Sequence, residues 1–412
     1  MGVKITGKLT ASLVLAVAVF WSQLACACGN IAKPWVTGYL PGYEQDASGN
    51  VSFMDADDWS MLTHIVHFAA HIGSDGSLDF ASEQIDSTKR TKAISLAHQH
   101  NIPILFSVNS WQDTYNPILA DATKRQTLIN ALIGVLNEGY DGLDLDLEPV
   151  TPYGSEVNAN YETFLTELHA RMKQEYPDKI KKTPLLDRPL LAVAAGPDGR
   201  DAKLLARHID MIDQLNVMFY NQATIWEGVT WHDSALYDGG KVYPSTGGKV
   251  ASIDGYVKKY LAAGIPASKL GLGVSLEIRI WQGGKVTGST DGVTAPMQTW
   301  TTTPKDWTSG TPLDSVAQLM QNYYTKPEYY HWDAGARMPY LSINNTGSAD
   351  DKFISFNDPR SLAEKVDFVK QTGLGGLMIW HLRLDYQPEK PAGQKRPIMK
   401  AIRQALHTGT GQ

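Results

Sequence analysis

The chain has 412 residues, 43% of them hydrophobic and 19% charged, with a mean hydropathy of -0.24. That composition excludes a disordered chain, a coiled coil and a multi-span membrane protein. Lys and Arg total 37 against 43 Asp and Glu, a net charge of -6 with no basic block, which argues against a nucleic-acid surface; two cysteines exclude a disulfide-dense scaffold.

The first element is a targeting segment. Lys4 and Lys8 precede an apolar run from Leu9 to about Trp21, and Ala25-Cys26-Ala27 fits an A-x-A exit. The order charged, apolar, small predicts a signal peptide over residues 1–27, with the mature chain starting near Cys28. An uncleaved anchor is the competing reading, but the run is short for a span. Lipid attachment at a cysteine is a lesser alternative, because neither site has Leu or Val three residues upstream. Secretion to the extracellular space or periplasm, without stable membrane association, is therefore expected.

Eight apolar runs then predict strands: Trp35–Leu40, Leu62–His71, Ile102–Ser107, Gly142–Glu148, Leu190–Ala195, Gln214–Tyr220, Leu270–Leu276 and Gly376–Trp380. Helical patterns fall between most of them, at Glu83–His100, Lys124–Glu138, Asn158–Glu175, Ala202–Ile209, Ile253–Ala263 and Pro359–Lys370. Repeated strand–helix units predict an α/β fold with a parallel sheet, and eight of them a (β/α)8 TIM barrel filling residues 28–412. A doubly wound open sheet is the alternative. Residues 280–352 break the rhythm with clustered glycines and with Trp281, Trp300, Trp307 and Trp332. They predict a small α+β insertion between strand 7 and helix 7.

The fourth strand candidate alternates with period two. Leu143, Leu145 and Leu147 face one way; Asp144, Asp146 and Glu148 face the other. Parallel strands are normally apolar on both faces. Three carboxylates brought inside cost several kcal/mol unless they share protons or bind something. A solvated edge strand or a calcium loop would be the structural explanation, but the leucines oppose a loop and the central place in the chain opposes an edge. The acids are expected to project into the barrel, near its catalytic C-terminal end.

Asp141–Glu148 matches the D-x-x-D-x-D-x-E signature, and the chain resembles glycoside hydrolase family 18, the chitinase family, over nearly all of its expected mature length. Met218-Phe219-Tyr220-Asn221 resembles the family's M-x-Y-D. Gly375–Trp380 resembles its last strand, and Phe353–Pro359 its return from the insertion. Three positions differ from the pattern. Ser107-Val108-Asn109-Ser110 stands for S-x-G-G, Glu277 for the tyrosine of Y-G-R, and Asn221 for the Asp of M-x-Y-D.

The resemblance implies hydrolysis of β-1,4-N-acetylglucosamine linkages in chitin or chitooligosaccharides, by a retaining, substrate-assisted route that departs from the usual two-carboxylate scheme. Glu148 would be the general acid and base. Asp146, about 7 Å back along the strand, would orient the acetamide, and Asp144 would share its proton. Tyr220 would complete the catalytic set. Tyr39 and Ser107 would hold Asp144, while Asn221 and Arg279 would contact substrate. Trp111, Trp226 and Trp380 lie at strand ends, where indoles can stack on sugar rings. Trp59 reads as core, and Trp231, Trp281, Trp300, Trp307 and Trp332 as core or ligand alike.

No metal and no cofactor is expected; His64, His67 and His71 match no zinc spacing. A monomer is expected. An endo-β-N-acetylglucosaminidase or peptidoglycan hydrolase would share the chemistry, and a non-catalytic chitin-binding lectin would typically lack the Glu. Finally, a neutral Asn221 removes one charge that would raise the pKa of Glu148, so the sequence favours a Glu148 that ionises at lower pH. The alternative is that the remaining acids set that value.

Overall fold

The computed structural model describes residues 1–2, 34–177, 180–309, 326–344 and 351–407. Residues 3–33, which hold the rest of the expected leader and both Cys26 and Cys28, lie outside the described residues.

Eight strands close a parallel barrel. They are β1 (Trp35–Pro41), β2 (His64–Ile72), β3 (Ile104–Trp111), β4 (Gly142–Glu148), β5 (Leu190–Ala195), β6 (Gln214–Val217), β7 (Leu270–Ser275) and β8 (Gly376–Trp380). Each pairs with its neighbours in chain order, and β1 closes on β8. This is the (β/α)8 architecture and not the open sheet. The helices are α1 (Ser87–Gln99), α2 (Gln112–Ala120), α3 (Ala122–Asn137), α4 (Ala159–Glu175), α5 (Ala202–Arg207), α6 (Ile253–Ala262), α7 (Pro359–Thr372) and α8 (Pro397–His407).

The boundaries follow local chemistry. Asp86 starts α1, later than the sequence suggested, by accepting from the Lys89 N–H at 3.0 Å. Asp121 separates α2 from α3 by capping Thr123 and Lys124. The sixth strand ends at Val217, short of the expected Tyr220. Phe219 N donates to Val217 O and Tyr220 N to Met218 O, so two tight local turns replace the ladder. The third strand, expected to end at Ser107, runs on to Trp111, because residues 107–111 pair in register with 144–148.

Between β7 and α7 the chain forms an antiparallel sheet. Its strands lie in the order Lys305–Ser309, Ile278–Gln282, Lys352–Ser355, Met338–Ile343 and Tyr330–Asp333. A small hairpin joins Lys285–Val286 to Trp300–Thr302. Among the described residues of this insert no helix occurs.

The main core lies between barrel and helices. Leu143, Leu145 and Leu147 are all fully buried there, with Leu132, Leu136, Phe164 and Leu168 from α3 and α4. Each such side chain contributes about 1.5–3 kcal/mol. Trp59 is core and stacks on His100 at 4.9 Å. Trp231 and Trp281 are fully buried in the insert's own core. Trp332 lies under the Arg360 guanidinium at 3.8 Å, and Trp307 is partly exposed.

Candidate active site

The β3–β4 register decides the site. Ser107 lies opposite Asp144, Asn109 opposite Asp146 and Trp111 opposite Glu148. With leucines committed to the helix side, the three acids form an inward column that rises toward the C-terminal ends of the strands.

Asp144, the deepest, is fully buried. Its Oδ1 accepts from the Tyr39 hydroxyl at 3.0 Å and its Oδ2 from Ser107 Oγ at 2.8 Å. Burial first, and the charge of Asp146 second, push its pKa up to about 7; the two hydroxyls pull the other way. Asp146 Oδ2 accepts from Asn109 Nδ2 at 2.8 Å. Burial raises Asp146; Asn109, the Glu148 carboxyl and the field of His71 lower it.

Glu148 is half-buried at the top of the column, where burial and then Asp146 and Asp201 hold its pKa far above the usual carboxylate range. The Asp146 and Glu148 carboxyls hydrogen-bond to each other, an interaction that lowers Asp146 and raises Glu148. The physical content is one proton held on the Glu148 side of the pair. A protonated carboxyl beside an ionised one is what a general acid requires.

A cleft of about 470 Å³ opens on Glu148 and is lined by Trp111, Tyr153, Asn221 and Trp226 among others. Trp226 is 88% exposed and Trp111 65%, so neither indole is spent on packing. On the other side, Trp380 packs edge-on against Tyr39 at 5.7 Å and Phe68 at 4.8 Å, and joins the apolar group that holds Tyr220 and Met378. Tyr220 is buried, and its hydroxyl is raised by burial and by the charges of Asp146 and Glu148. The structure thus brings Tyr39, Ser107, Asp144, Asp146, Glu148, Tyr220 and Trp380 together, with Trp111, Asn221 and Trp226 along the cleft.

Arg279 is placed differently. Thr308 lies opposite it in the insert's ladder. Its buried guanidinium bonds Thr308 Oγ1 at 3.0 Å and pairs with Asp306. Thr308 in turn donates to Asn221 Oδ1 at 3.1 Å. Arg279 therefore braces the wall behind Asn221.

Sequence reasoning passed over Asp201. It sits just before α5, where an aspartate reads as a helix cap, yet its side chain caps nothing. It accepts instead from Thr151 N at 2.8 Å and Thr151 Oγ1 at 2.6 Å, and lines the cleft together with Glu148. Its charge supplies the upward pull on Glu148 that a neutral Asn221 does not. With a neutral Asn221 in place, burial, Asp146 and Asp201 already hold the Glu148 pKa high. Glu277, at the tyrosine position of Y-G-R, is mostly buried and interacts with Trp380 and Ser275.

A deep acid column with a protonated rim carboxyl, inside a closed parallel barrel, is the arrangement of a glycoside-cleaving enzyme. Residues 36–385 match the model of "Glycosyl hydrolases family 18"; the chain belongs to this family and is a glycoside hydrolase. It is 27% identical to Chitotriosidase-1 of Mus musculus over 394 residues, 92% of this chain and 79% of that one. It is 28% identical to Chitinase A1 of Niallia circulans over 306 residues, 69% of this chain but only 41% of that protein's length. Among solved structures, the Group IV chitinase of Ostrinia furnacalis in complex with allosamidin superposes with a TM-score of 0.71 at 22% identity, covering 90% of this chain and 98% of that one. A Cycas revoluta chitinase in complex with (GlcNAc)3 gives 0.67 at 20% identity, covering 90% and 98%.

Proposed function

We propose that the protein is a secreted chitinase that hydrolyses β-1,4-linked N-acetylglucosamine with retention of configuration. The observation that carries this reading is the column itself: an ionisable Asp146 hydrogen-bonded to the Glu148 directly above it, with the proton held on Glu148. In the first step the substrate's acetamido oxygen attacks the anomeric carbon, the bond to the leaving oxygen breaks, and Glu148 gives that oxygen its proton. Asp146 accepts from the acetamide N–H and offsets the positive charge of the ring so formed. In the second step water attacks the same carbon, Glu148 takes the water's proton, and the acetamido group is released. Two displacements at one carbon give retention.

Tyr39 and Ser107 keep Asp144 in place as the proton reservoir below. Tyr220 directs its hydroxyl to the acetamido oxygen. Trp380 forms the floor under the reacting sugar, and Trp111 and Trp226 stack the sugars beyond Glu148. Complexes of the structural neighbours with allosamidin and (GlcNAc)3 support the substrate class. Among the described residues no helix is long and apolar enough to cross a membrane. Secretion rests on the leader at residues 1–27 and is read out by N-terminal sequencing of the exported protein.

Glu148→Gln removes the acid with almost no change of shape. Hydrolysis of a soluble chitin oligomer is expected to fall by about 10²–10⁴-fold or more, with binding of the oligomer retained. A parental rate would overturn the assignment. The unmodified enzyme is expected to prefer chitin oligomers over a high-mannose glycopeptide and over peptidoglycan; the reverse order would overturn the substrate.

A further inference from the structure

We infer that Asn109 is a positioning residue that clamps the Asp146 carboxylate beneath Glu148. This rests on the reading that Asp146 and Glu148 act together on an acetamido sugar.

The geometry is specific. Asn109 stands directly across the parallel ladder from Asp146. Its Nδ2 donates to Asp146 Oδ2 at 2.8 Å and also reaches the backbone oxygen of the same residue at 3.3 Å. One amide thus ties the carboxylate to its own backbone and, with the Glu148 carboxyl, fixes the side-chain rotation. Asp146 has a carboxyl below it and a carboxyl above it on the same strand face, each about 7 Å along the chain. Without the amide it can turn toward either. The carboxylate also bonds the Glu148 carboxyl above it, so the Asn109 amide holds it in line with the acid. A glycine at this position, as in the pattern that the third strand otherwise resembles, offers no such donor.

The clamp also acts on protonation. A donor to a carboxylate favours its charged form, and Asn109 is the largest influence that lowers Asp146. The titratable groups acting with Asp146 are Asp144 and Glu148 on its own strand, His71 on β2, Tyr39 on β1, Tyr220 after β6 and Tyr161 on α4. None of them is a permanent cation. Asn109 is therefore expected to keep Asp146 ionised on the acid side of the activity profile.

The test compares Asn109→Ala, Asn109→Asp and Asn109→Ser by kcat, KM and the pH dependence of kcat/KM on a soluble chitin oligomer. Asn109→Ala is expected to lose on the order of 10–100-fold in kcat, the factor of one hydrogen bond to a charged group, with KM little changed and the acid limb moved to higher pH. Asn109→Asp keeps the volume, loses the donor and adds a charge; it should lose at least as much and move the acid limb further. Asn109→Ser keeps a small donor and should fall between parent and Ala. If Asn109→Asp keeps the parental kcat and acid limb, the side chain only fills space and the inference fails. It fails equally if Asn109→Ala does, and Asn109→Ser decides the matter if the Asp variant does not fold. An unmodified enzyme that leaves the oligomer intact would instead defeat the proposed function.

Discussion

At the scale of single residues, the proton on Glu148 is the quantity that matters, and three influences set it: burial, Asp146 and Asp201. Asp201 is the most informative to change, because it touches neither the cleft's aromatic residues nor the acid column by hydrogen bond. Burial raises the Asp201 carboxyl above its usual value, while Thr151 N, Thr151 Oγ1 and Gly196 N all donate to it and favour the charged form. That charge opposes ionisation of Glu148. Asp201→Asn removes it, so Glu148 should lose its proton at lower pH and the basic limb of kcat/KM should move to the acid side. The new amide also faces donors, so some stability is lost; the position of the limb, unlike its height, does not depend on that. A limb that stays put or moves upward would show that Asp201 does not act on Glu148. The column was legible in the sequence, because three acids on one face of a buried strand have no ordinary structural use. Asp201 was not, because an aspartate at a helix start already has a common explanation and only the fold shows that its oxygens point elsewhere.

At the scale of elements, β4 carries two functions on two faces. Its acids face the barrel interior and its leucines the helices, so the two sets can be changed independently. Leu145 is fully buried between barrel and helices. Leu145→Ala should cost about 2–5 kcal/mol of stability, while the pH limbs of the remaining native enzyme stay where they were. Chemical denaturation together with a pH profile measures both; a shifted limb with unchanged stability would mean that the faces are coupled. The same period of two explains what could be read from sequence alone. Strands of the barrel are short apolar runs, and eight of them announce the fold. Where other rules prevail, reading failed. The α2 helix contains Pro117, which suppresses a helical reading of a nine-residue segment. The local turns at Met218–Tyr220 remove three residues from β6 although their side chains look like strand. The insert's strands from Ile278 to Ser355 pair antiparallel through glycine-rich and tryptophan-rich sequence that shows neither helical nor strict alternating period.

At the scale of the whole molecule, burial acts on proton affinity with opposite sign for acids and for histidines, and both classes lie in the interior. Asp144 and Asp385 are pushed up to about 7; they hold protons in the fold that the unfolded chain releases, so their contribution falls as pH rises from about 4 through 7. His64, His67 and His381 are pushed down, to about 4, 3 and 3. These rings stay neutral in the fold while the unfolded chain takes up protons, so their contribution falls as pH drops below about 6.5. His67 shows why. Gln45 donates its amide to Gly49 O and Lys89 O, so its oxygen faces His67 Nε2 at 2.7 Å and must accept from it. Nδ1, at 2.7 Å from the Tyr140 hydroxyl, then serves as acceptor. A second ring proton would meet a donor, next to the charges of Arg90 and Lys89.

Because acids and histidines oppose one another, a single stability curve does not separate them, but a difference between two proteins does. His67→Gln keeps one donor and one acceptor and does not titrate. At pH 8 it should be less stable than the parent, through imperfect packing. Below pH 6.5 the parent loses about 1.4 kcal/mol per pH unit on account of His67, and the variant does not. The deficit of the variant should therefore shrink by roughly 2 kcal/mol between pH 8 and pH 5. Urea unfolding at both pH values measures it. A deficit that is constant, or larger at pH 5, would mean that His67 accepts a proton inside the fold and that the bond assigned to the Tyr140 hydroxyl runs the other way.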